Sequence, residues 1–371
     1  MRETQLSRNY EVQIDILTPL HIGNGVVLKR DFEFVVQNGK TYRLNDSALL
    51  QAFWPADAQQ QEKIALTRPA DLLGNTRLSH DDAYVLYAYN GSPAMGEIRE
   101  QIKDVFGHAY VPGSSLKGGL RTALMRTMIE GVAQHSLKRA DLGRAMRNDY
   151  DARAAKEADD MLDRKYGGFD PNHDMFRGLS IADTTPAPKN ALTLQRVQMV
   201  PKLEIDVEAL AIGSQLKTSL RLDRYILQTV AAQLGIEKKF ANTIRNVARA
   251  VQFTAETRIR QELAYHIQNN HAQAVHFYYE QLQRIQQKKF ADNECLLQVG
   301  FAAGWRAKTL LGGLPDNDPL LEKVIGDFYL DKGGKGQGSH ASGDAFPKAR
   351  HLAFVGRNPA LPMGWVKLIL M

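Results

Sequence analysis

Residues 111–124 read VPGSSLKGGLRTAL, and this stretch decides how the first half of the chain is interpreted. Leu116, Leu120 and Leu124 recur every four residues, which is the spacing of a buried helical stripe. The preceding residues, Ala109–Pro112, are expected to end a strand and turn the chain. The stretch therefore predicts a junction between a strand and a helix.

The first turns of this helix carry an unusual number of groups that bind anions. Backbone N–H groups at a helix start are unpaired and carry partial positive charge. Ser114, Ser115, Lys117 and Arg121 add hydroxyls and cations beside them. Gly118–Gly119 costs about 1 kcal/mol per glycine relative to alanine, but it leaves bare backbone that the phosphates of a nucleic-acid strand can approach. A capped helix whose glycines serve packing is an equally good interpretation of the residues alone.

The N-terminal segment predicts strands followed by a short helix. Tyr10–Leu17 alternates apolar and polar residues, as a half-buried strand does. Gln37–Lys40 contains Asn-Gly between two runs rich in β-formers, which is a strong hairpin signal. Asn45 or Asp46 is expected to cap a helix that runs to Trp54. Strand, hairpin, helix, strand and helix in this order resemble a ferredoxin-like plan, the architecture of an RNA recognition motif.

The second half repeats this pattern around a large helical insertion. We place the boundary between the halves in the loop of residues 166–174, so the predicted domains are 1–170 and 171–371. The helical insertion is predicted over residues 224–290, and a glycine-rich loop over 332–345. The predicted strands are 176–182, 192–200, 203–210, 216–222 and 364–371.

Composition limits the classes of protein that the chain can belong to. It has 371 residues, a formal charge of +6 and a pI of about 9.2, which suits a polyanion as partner. The single cysteine, Cys295, excludes a disulfide within the chain and a zinc site made of cysteines. No apolar run approaches a membrane span and the N-terminus lacks a signal peptide pattern, so we expect a cytoplasmic protein without a membrane partner.

A second glycine-rich loop lies at residues 300–309, GFAAGWRAKT. Gly300 and Gly304 alternate there with an aromatic ring and two cations, Trp305, Arg306 and Lys308. Such a loop suits stacking and charge contacts with a nucleic-acid backbone. A tight turn held by an anchoring tryptophan is the alternative. The Lys308-Thr309 pair at the end of this loop does not belong to a P-loop, because no glycine directly precedes the lysine.

Five segments together resemble RAMP proteins, the RNA-binding subunits of type III CRISPR interference complexes. They are Thr18–Gly23, Val111–Arg121, Gly300–Thr309, Phe346–Arg350 and Leu361–Leu368. The last three are most similar to the fifth subunit of the type III-A (Csm) complex. The resemblance implies an α+β fold of two modified ferredoxin-like (RRM-like, RAMP) domains with a large helical insertion.

The resemblance also implies a function. The chain is expected to be a non-catalytic structural subunit that binds the guide RNA (crRNA) near its 3′ end. It would cap the backbone filament and support 3′ maturation in antiviral defence. The implied partners are target RNA, the repeated backbone RAMP subunit, the small helical subunit and recruited cellular ribonucleases. Two alternatives stay open: a metal-dependent endoribonuclease, and a RAMP subunit at another position, either the 5′-tag binder or the repeated backbone subunit.

The sequence predicts neither a metal site nor a cofactor. In the backbone subunit of this family an aspartate in the loop after the H-I-G-like segment supports cleavage, whereas here the first aspartate, Asp31, comes late. For an enzyme, Asp15, Asp31, His21 and His108 would be the candidate catalytic residues. The predicted RNA-binding residues are His21, Gly23, Asn24, Lys29, Arg30, Ser114, Ser115, Lys117, Gly118, Arg121, Gly300, Gly304, Trp305, Arg306, Lys308, Lys348 and Arg350.

Overall fold

The computed structural model describes residues 7–136, 172, 174–200, 203–227, 238–327, 330, 340–341 and 343–371. The predicted domain boundary at residue 170 and most of the glycine-rich segment 332–345 lie outside the described residues. So does a short part of the predicted helical insertion, residues 228–237.

Fourteen strands are described. In chain order they are β1 (Ser7–Ile16), β2 (Gly23–Lys29), β3 (Phe34–Gln37), β4 (Lys40–Leu44), β5 (Val85–Asn90), β6 (Glu97–Gln101), β7 (Leu179–Ile181), β8 (Leu192–Val200), β9 (Leu203–Leu210), β10 (Gln215–Asp223), β11 (Glu294–Gln298), β12 (Arg350–Val355), β13 (Asn358–Pro362) and β14 (Trp365–Leu370).

The helices of the described residues are α1 (Asp46–Phe53), α2 (Ala58–Ala65), α3 (Pro69–Leu73), α4 (Gly113–Ser136), α5 (Lys238–Arg245), α6 (Val247–Gln268), α7 (Ala272–Gln286), α8 (Trp305–Lys308) and α9 (Pro319–Asp327). Three of them, α5 to α7, fall within the predicted helical insertion. None of the described helices is both long enough and apolar enough to cross a membrane.

The strands form three sheets. A five-stranded sheet has the order β11-β14-β1-β10-β7, and its described pairs are antiparallel. A six-stranded sheet has the order β13-β12-β8-β9-β6-β2, in which β6 and β9 run parallel. The third sheet, β3-β4-β5, packs on the six-stranded sheet through Leu28, Phe34, Tyr89 and Ile98.

Both large sheets combine strands from the two predicted segments, 1–170 and 171–371. The N-terminal β1 lies between β14 and β10, and β6 pairs with β9. The two segments are therefore interleaved within the same sheets. The mixed α+β architecture is confirmed, while the position of the domain boundary stays a prediction.

The alternation of β1 explains the main core. Val12, Ile14 and Ile16 are fully buried and pack in one cluster with the leucine stripe of α4. Each such side chain contributes about 1.5–3 kcal/mol by leaving water. The predicted stripe of Leu116, Leu120 and Leu124 is therefore a core element.

The local turn signals of the N-terminal segment are confirmed. Asn38 and Gly39 both take positive φ, 51° and 73°, in the turn between β3 and β4. The side chain of Asn45 accepts a hydrogen bond from the Ala48 N–H and caps α1. Asp31 lies in a turn after β2 at φ 68°, which aspartate tolerates better than most residues.

Two predicted strands are shorter than expected. The run 176–182 begins instead with a 3-10 turn, Met175–Gly178, because the Asp174 carboxylate accepts from the Phe176 N–H and caps it. Only Leu179–Ile181 then forms a strand. Before α4, Ala109 makes a single bridge to Lys103 in place of a regular strand.

Candidate nucleic-acid interface

Three of the segments that carry the family resemblance meet at the end of β11. The N–H of Phe301 donates to the His21 carbonyl at 2.8 Å, and the N–H of Gly364 donates to the Pro19 carbonyl at 2.9 Å. A Cβ at Gly300 would lie 2.5 Å from the His21 carbonyl oxygen, so glycine is required for this approach. The first of these segments and the loop of residues 300–309 are thus held together by backbone contacts.

His21 lies inside this junction. It is buried, and its Nδ1 lies 2.6 Å from the Glu208 carbonyl oxygen, to which it can only donate. Burial is the largest cause that lowers the pKa of His21 to about 4, and the charges of Arg99 and Lys103 add to it. His21 is therefore neutral at pH 7 and supports the loop from inside the fold, in contrast to the predicted RNA contact.

Above His21, a surface combines two exposed cations with two partly exposed aromatic rings. The Arg99 guanidinium lies 5.1 Å from the ring centroid of Phe301, and the ring of His351 lies 5.6 Å from the same ring. Lys308 is exposed at the end of α8. Burial, together with the charges of Lys308 and Arg99, lowers the pKa of His351. We call Arg99, Phe301, Lys308 and His351 the loop patch.

Sequence reasoning found only Lys308 of these four residues. Phe301 lies in the glycine-rich loop but was not singled out, although an aromatic residue between glycines is a usable signal. Arg99 is a single cation on a strand, and His351 follows a predicted residue by one position. Arg99 lies on β6 and His351 on β12, with β8 and β9 between them, whereas Phe301 and Lys308 follow β11 of the other large sheet. No local pattern encodes their meeting.

The strand β2 contributes three predicted residues at the edge of the same sheet, and Arg30 directly follows it. Val27 pairs with Arg99 and Lys29 pairs with Glu97, so the exposed Lys29 points to the face that carries the loop patch. The exposed Asn24 donates to the Glu100 carboxylate at 2.7 Å. Gly23 is also exposed, and Arg30 contacts the Ser92 hydroxyl at 3.2 Å.

The start of α4 differs from the predicted anion site. The Gly113 N–H donates to the Asp183 carboxylate at 2.7 Å, and a Cβ at Gly113 would lie 2.4 Å from the Ile181 carbonyl oxygen. A carboxylate of the chain itself therefore occupies the position that the prediction gave to a phosphate. The physical reason is the same one: the positive end of the helix is complementary to any anion.

The two adjacent glycines of α4 have different surroundings. A Cβ at Gly119 would lie 2.7 Å from Val299 Cγ1, so this glycine lets the helix pack on the end of β11. A Cβ at Gly118 would meet nothing within 4 Å. Gly118 and Ser114 are exposed, Lys117 is partly exposed, and helical spacing places the three on one face. Ser115 is partly exposed as well.

Arg121 is engaged within the fold. Its Nη1 donates to both oxygens of the Asp174 carboxylate, at 2.9 and 2.7 Å, and its guanidinium lies 4.5 Å from the Phe176 ring centroid. This side chain secures the turn before β7. The physical role seen here is structural, in contrast to the predicted phosphate contact.

Two further predicted cations are buried. Arg306 is 1% exposed, donates to the Phe346 and Leu314 carbonyls at 2.7 and 2.9 Å, and pairs with Asp316. Arg350 donates from Nε to both oxygens of the Glu262 carboxylate. Both guanidiniums are buried and bound to internal partners, which use the donors that the prediction assigned to phosphates.

The remaining predicted residues differ in exposure. Trp305 is partly exposed and packs edge-on against Phe346, with ring centroids 5.0 Å apart, as the anchoring alternative expected. Gly304 takes φ 80°, and a Cβ there would meet nothing within 4 Å. Lys348 is exposed and pairs with Asp344 at 2.9 Å.

The candidate catalytic residues are not gathered into one site. Asp15 pairs with Lys367 at 3.1 Å on the five-stranded sheet, and the His108 Nδ1 lies 3.4 Å from Asp104 in a loop. Across the described residues, no group of three histidine, cysteine or acidic side chains is placed to hold a metal ion.

Residues 13–295 match the RAMP superfamily. The chain belongs to the RAMP superfamily. A 210-residue alignment gives 25% identity to the CRISPR protein Csm5 of Streptococcus thermophilus, and it covers 50% of this chain and 54% of that protein. This RAMP protein therefore aligns with about half the length of that curated relative.

Solved structures share the fold along nearly the whole chain. A chain of a Csm–crRNA–target RNA ternary complex of a type III-A system superposes with a TM-score of 0.65 at 19% identity, covering 98% of this chain and 100% of that one. The crystal structure of T. onnurineus Csm5 gives a TM-score of 0.60 at 20% identity, covering 95% and 99%. The RAMP-type fold and the resemblance to the fifth Csm subunit are confirmed.

Proposed function

We propose that this RAMP protein binds single-stranded RNA across the loop patch. The observation that carries the proposal is the arrangement of the exposed Arg99 over the partly exposed Phe301, beside Lys308 and His351. Aromatic rings stack on bases, and cations pair with phosphates without reading the sequence. Lys29 adds a cation on the same sheet face as Arg99, and the proposed interface also includes the exposed face of α4 that holds Ser114, Lys117 and Gly118.

The proposed setting is a type III-A (Csm) complex in the cytoplasm. Its support is the similarity to Csm5 and to a chain of a complex that contains crRNA and target RNA. In this setting the chain binds the crRNA near its 3′ end, caps the backbone filament and contacts the repeated backbone subunit and the small helical subunit. Support for 3′ maturation then comes from recruited cellular ribonucleases.

We further propose that the chain does not cut RNA. The neutral, buried His21 donates its Nδ1 proton to a carbonyl, and Asp15 is paired with Lys367. A general base and a metal site need groups that converge on the substrate. Incubation of the protein with guide precursor and Mg²⁺ tests this proposal: intact RNA is expected, and products that disappear in Asp31→Ala would contradict it.

The RNA-binding proposal is tested with charge removal. Arg99→Ala and Lys308→Ala are each expected to weaken binding of unrelated RNA sequences alike, and to reduce the slope of log K against log salt by about 0.7. Arg260→Ala is the matched control, because Arg260 is exposed and pairs with Glu256 on α6, away from the loop patch. Equal RNA affinity in all three variants and the wild type would refute the proposal.

A further inference from the structure

A cavity of about 150 Å³ lies beneath the glycine-rich loop. Ala302, Ala303 and Trp305 form its wall on the loop side, and Tyr278 and Gln298 lie on the opposite elements. Several lining residues, Trp305, Ala349 and His351 among them, are partly exposed, so the cavity reaches the surface. His351 also belongs to the loop patch, which makes the cavity continuous with the proposed RNA surface.

Two buried polar atoms belong to residues that line this cavity and have no hydrogen-bond partner among the residues that the structure describes. Arg258 Nε is a donor, Gln298 Oε1 is an acceptor, and both side chains are at least nine-tenths buried. An unpaired buried polar atom costs about 1–3 kcal/mol. The cavity therefore presents one donor and one acceptor to whatever enters it.

The remaining lining favours a flat ring. A cavity of about 150 Å³ is the size that accommodates benzene, which is comparable to one six-membered ring. The rings of Tyr278, Trp305 and His266 and the small residues Ala302, Ala303 and Gly304 line the cavity beside the paired charges described below. The oxygens of a phosphate are negatively charged, and Gln298 Oε1 carries partial negative charge as well. A phosphate would therefore leave this acceptor without a donor.

The charged groups around the cavity are already paired with one another. Arg258 Nη1 donates to Glu262 at 2.6 Å, Arg350 Nε donates to the same carboxylate at 2.9 Å, and Arg306 pairs with Asp316. A neutral ligand with both a donor and an acceptor fits such a site better than a free anion does.

We infer that this cavity receives one pyrimidine base from RNA bound at the loop patch. A pyrimidine ring has the size of the cavity and carries donors and acceptors on its edge that match Arg258 Nε and Gln298 Oε1. Single-stranded RNA is commonly read through bases that leave the stack and enter such pockets. The inference rests on the proposed function, and it assigns one base-specific contact to a surface otherwise indifferent to sequence.

The test compares an oligouridylate with an abasic ribose-phosphate oligomer of the same length, by fluorescence anisotropy. Ala349→Leu fills the cavity and is expected to weaken oligouridylate binding about tenfold, while leaving the abasic oligomer unchanged. Arg99→Ala is expected to weaken binding of both oligomers. If Ala349→Leu binds oligouridylate as the wild type does while Arg99→Ala binds it weakly, the pocket inference is overturned and the RNA surface stands. Absence of RNA binding by the wild type would overturn both.

A second measurement needs only the wild-type chain. Tyr278 is 1% exposed, so a base reaches it only by entering the cavity. Photocrosslinking with 5-bromouridine RNA is expected to modify Tyr278 or His266. Crosslinks confined to surface residues, with the cavity holding water alone, would overturn the inference.

Discussion

Replacement of Glu262 by glutamine should destabilise the protein more than any surface charge change. Glu262 lies on α6 and is 1% exposed. Its carboxylate accepts from Arg258 at 2.6 Å and from Arg350 at 2.9 and 3.0 Å. Burial alone would raise the pKa of Glu262, but the charges of Arg258 and Arg350 outweigh burial and hold the pKa well below its ordinary range.

The size of the effect follows from the two cations that the substitution leaves behind. Removing one partner from a buried ion pair costs about 3–5 kcal/mol, because the other charge stays buried without compensation. Here both Arg258 and Arg350 lose their counter-charge. Glu256→Gln provides a matched control on the same helix, since the Glu256–Arg260 pair has the same spacing and a 2.6 Å contact but lies at the surface, with Arg260 52% and Glu256 31% exposed. Such a surface pair contributes about 0.2–1 kcal/mol.

Urea unfolding followed by far-UV circular dichroism measures both variants. We expect Glu262→Gln to lower the free energy of unfolding by at least 3 kcal/mol, about the lower bound for a broken buried pair. RNA affinity should fall with it, because Arg258 also donates to the Ala303 carbonyl of the glycine-rich loop at 3.4 Å. If Glu262→Gln costs no more than Glu256→Gln, the buried cluster does not stabilise this loop.

Three further predictions follow from single contacts. His21 takes up its proton near pH 6.5 in the unfolded chain and near pH 4 in the folded protein, so the free energy of unfolding should rise by about 3 kcal/mol as the pH rises from 4 to 6.5. The urea midpoint of His21→Gln should rise less steeply over the same pH interval. Gly118→Ala should stabilise the protein by up to about 1 kcal/mol, whereas Gly119→Ala should destabilise it by about 1–3 kcal/mol through contact with Val299; equal thermal shifts would contradict this contrast. Arg121→Ala should lower the melting temperature and leave the salt dependence of RNA binding unchanged. A smaller slope of log K against log salt would instead show that Arg121 contacts a phosphate.

Local chemistry made much of the fold predictable. The alternation in β1, the Asn38-Gly39 turn, the Asn45 cap and the leucine stripe of α4 each depend on neighbours within a few residues. Because such elements are determined by interactions between residues close in sequence, their bounds could be predicted closely.

The site was harder to predict because its parts meet only through tertiary packing. Residue type does not distinguish Lys308, which is exposed, from Arg306, which is buried among carbonyls two positions earlier. The spacing of Arg121 suggested a phosphate contact, but Asp174, 53 positions later, takes its guanidinium. The sequence does not distinguish the two adjacent glycines either, although Gly118 leaves the backbone open and Gly119 makes room for a packing contact.

A structure of the chain assembled with its guide RNA would test the central claim most directly, through the distance from the Phe301 ring to the nearest nucleotide. RNA binding across the loop patch predicts a base or ribose within about 4 Å of Phe301, with phosphates beside Arg99 and Lys308. A loop patch that is covered by another protein subunit, with no nucleotide in contact, would contradict it.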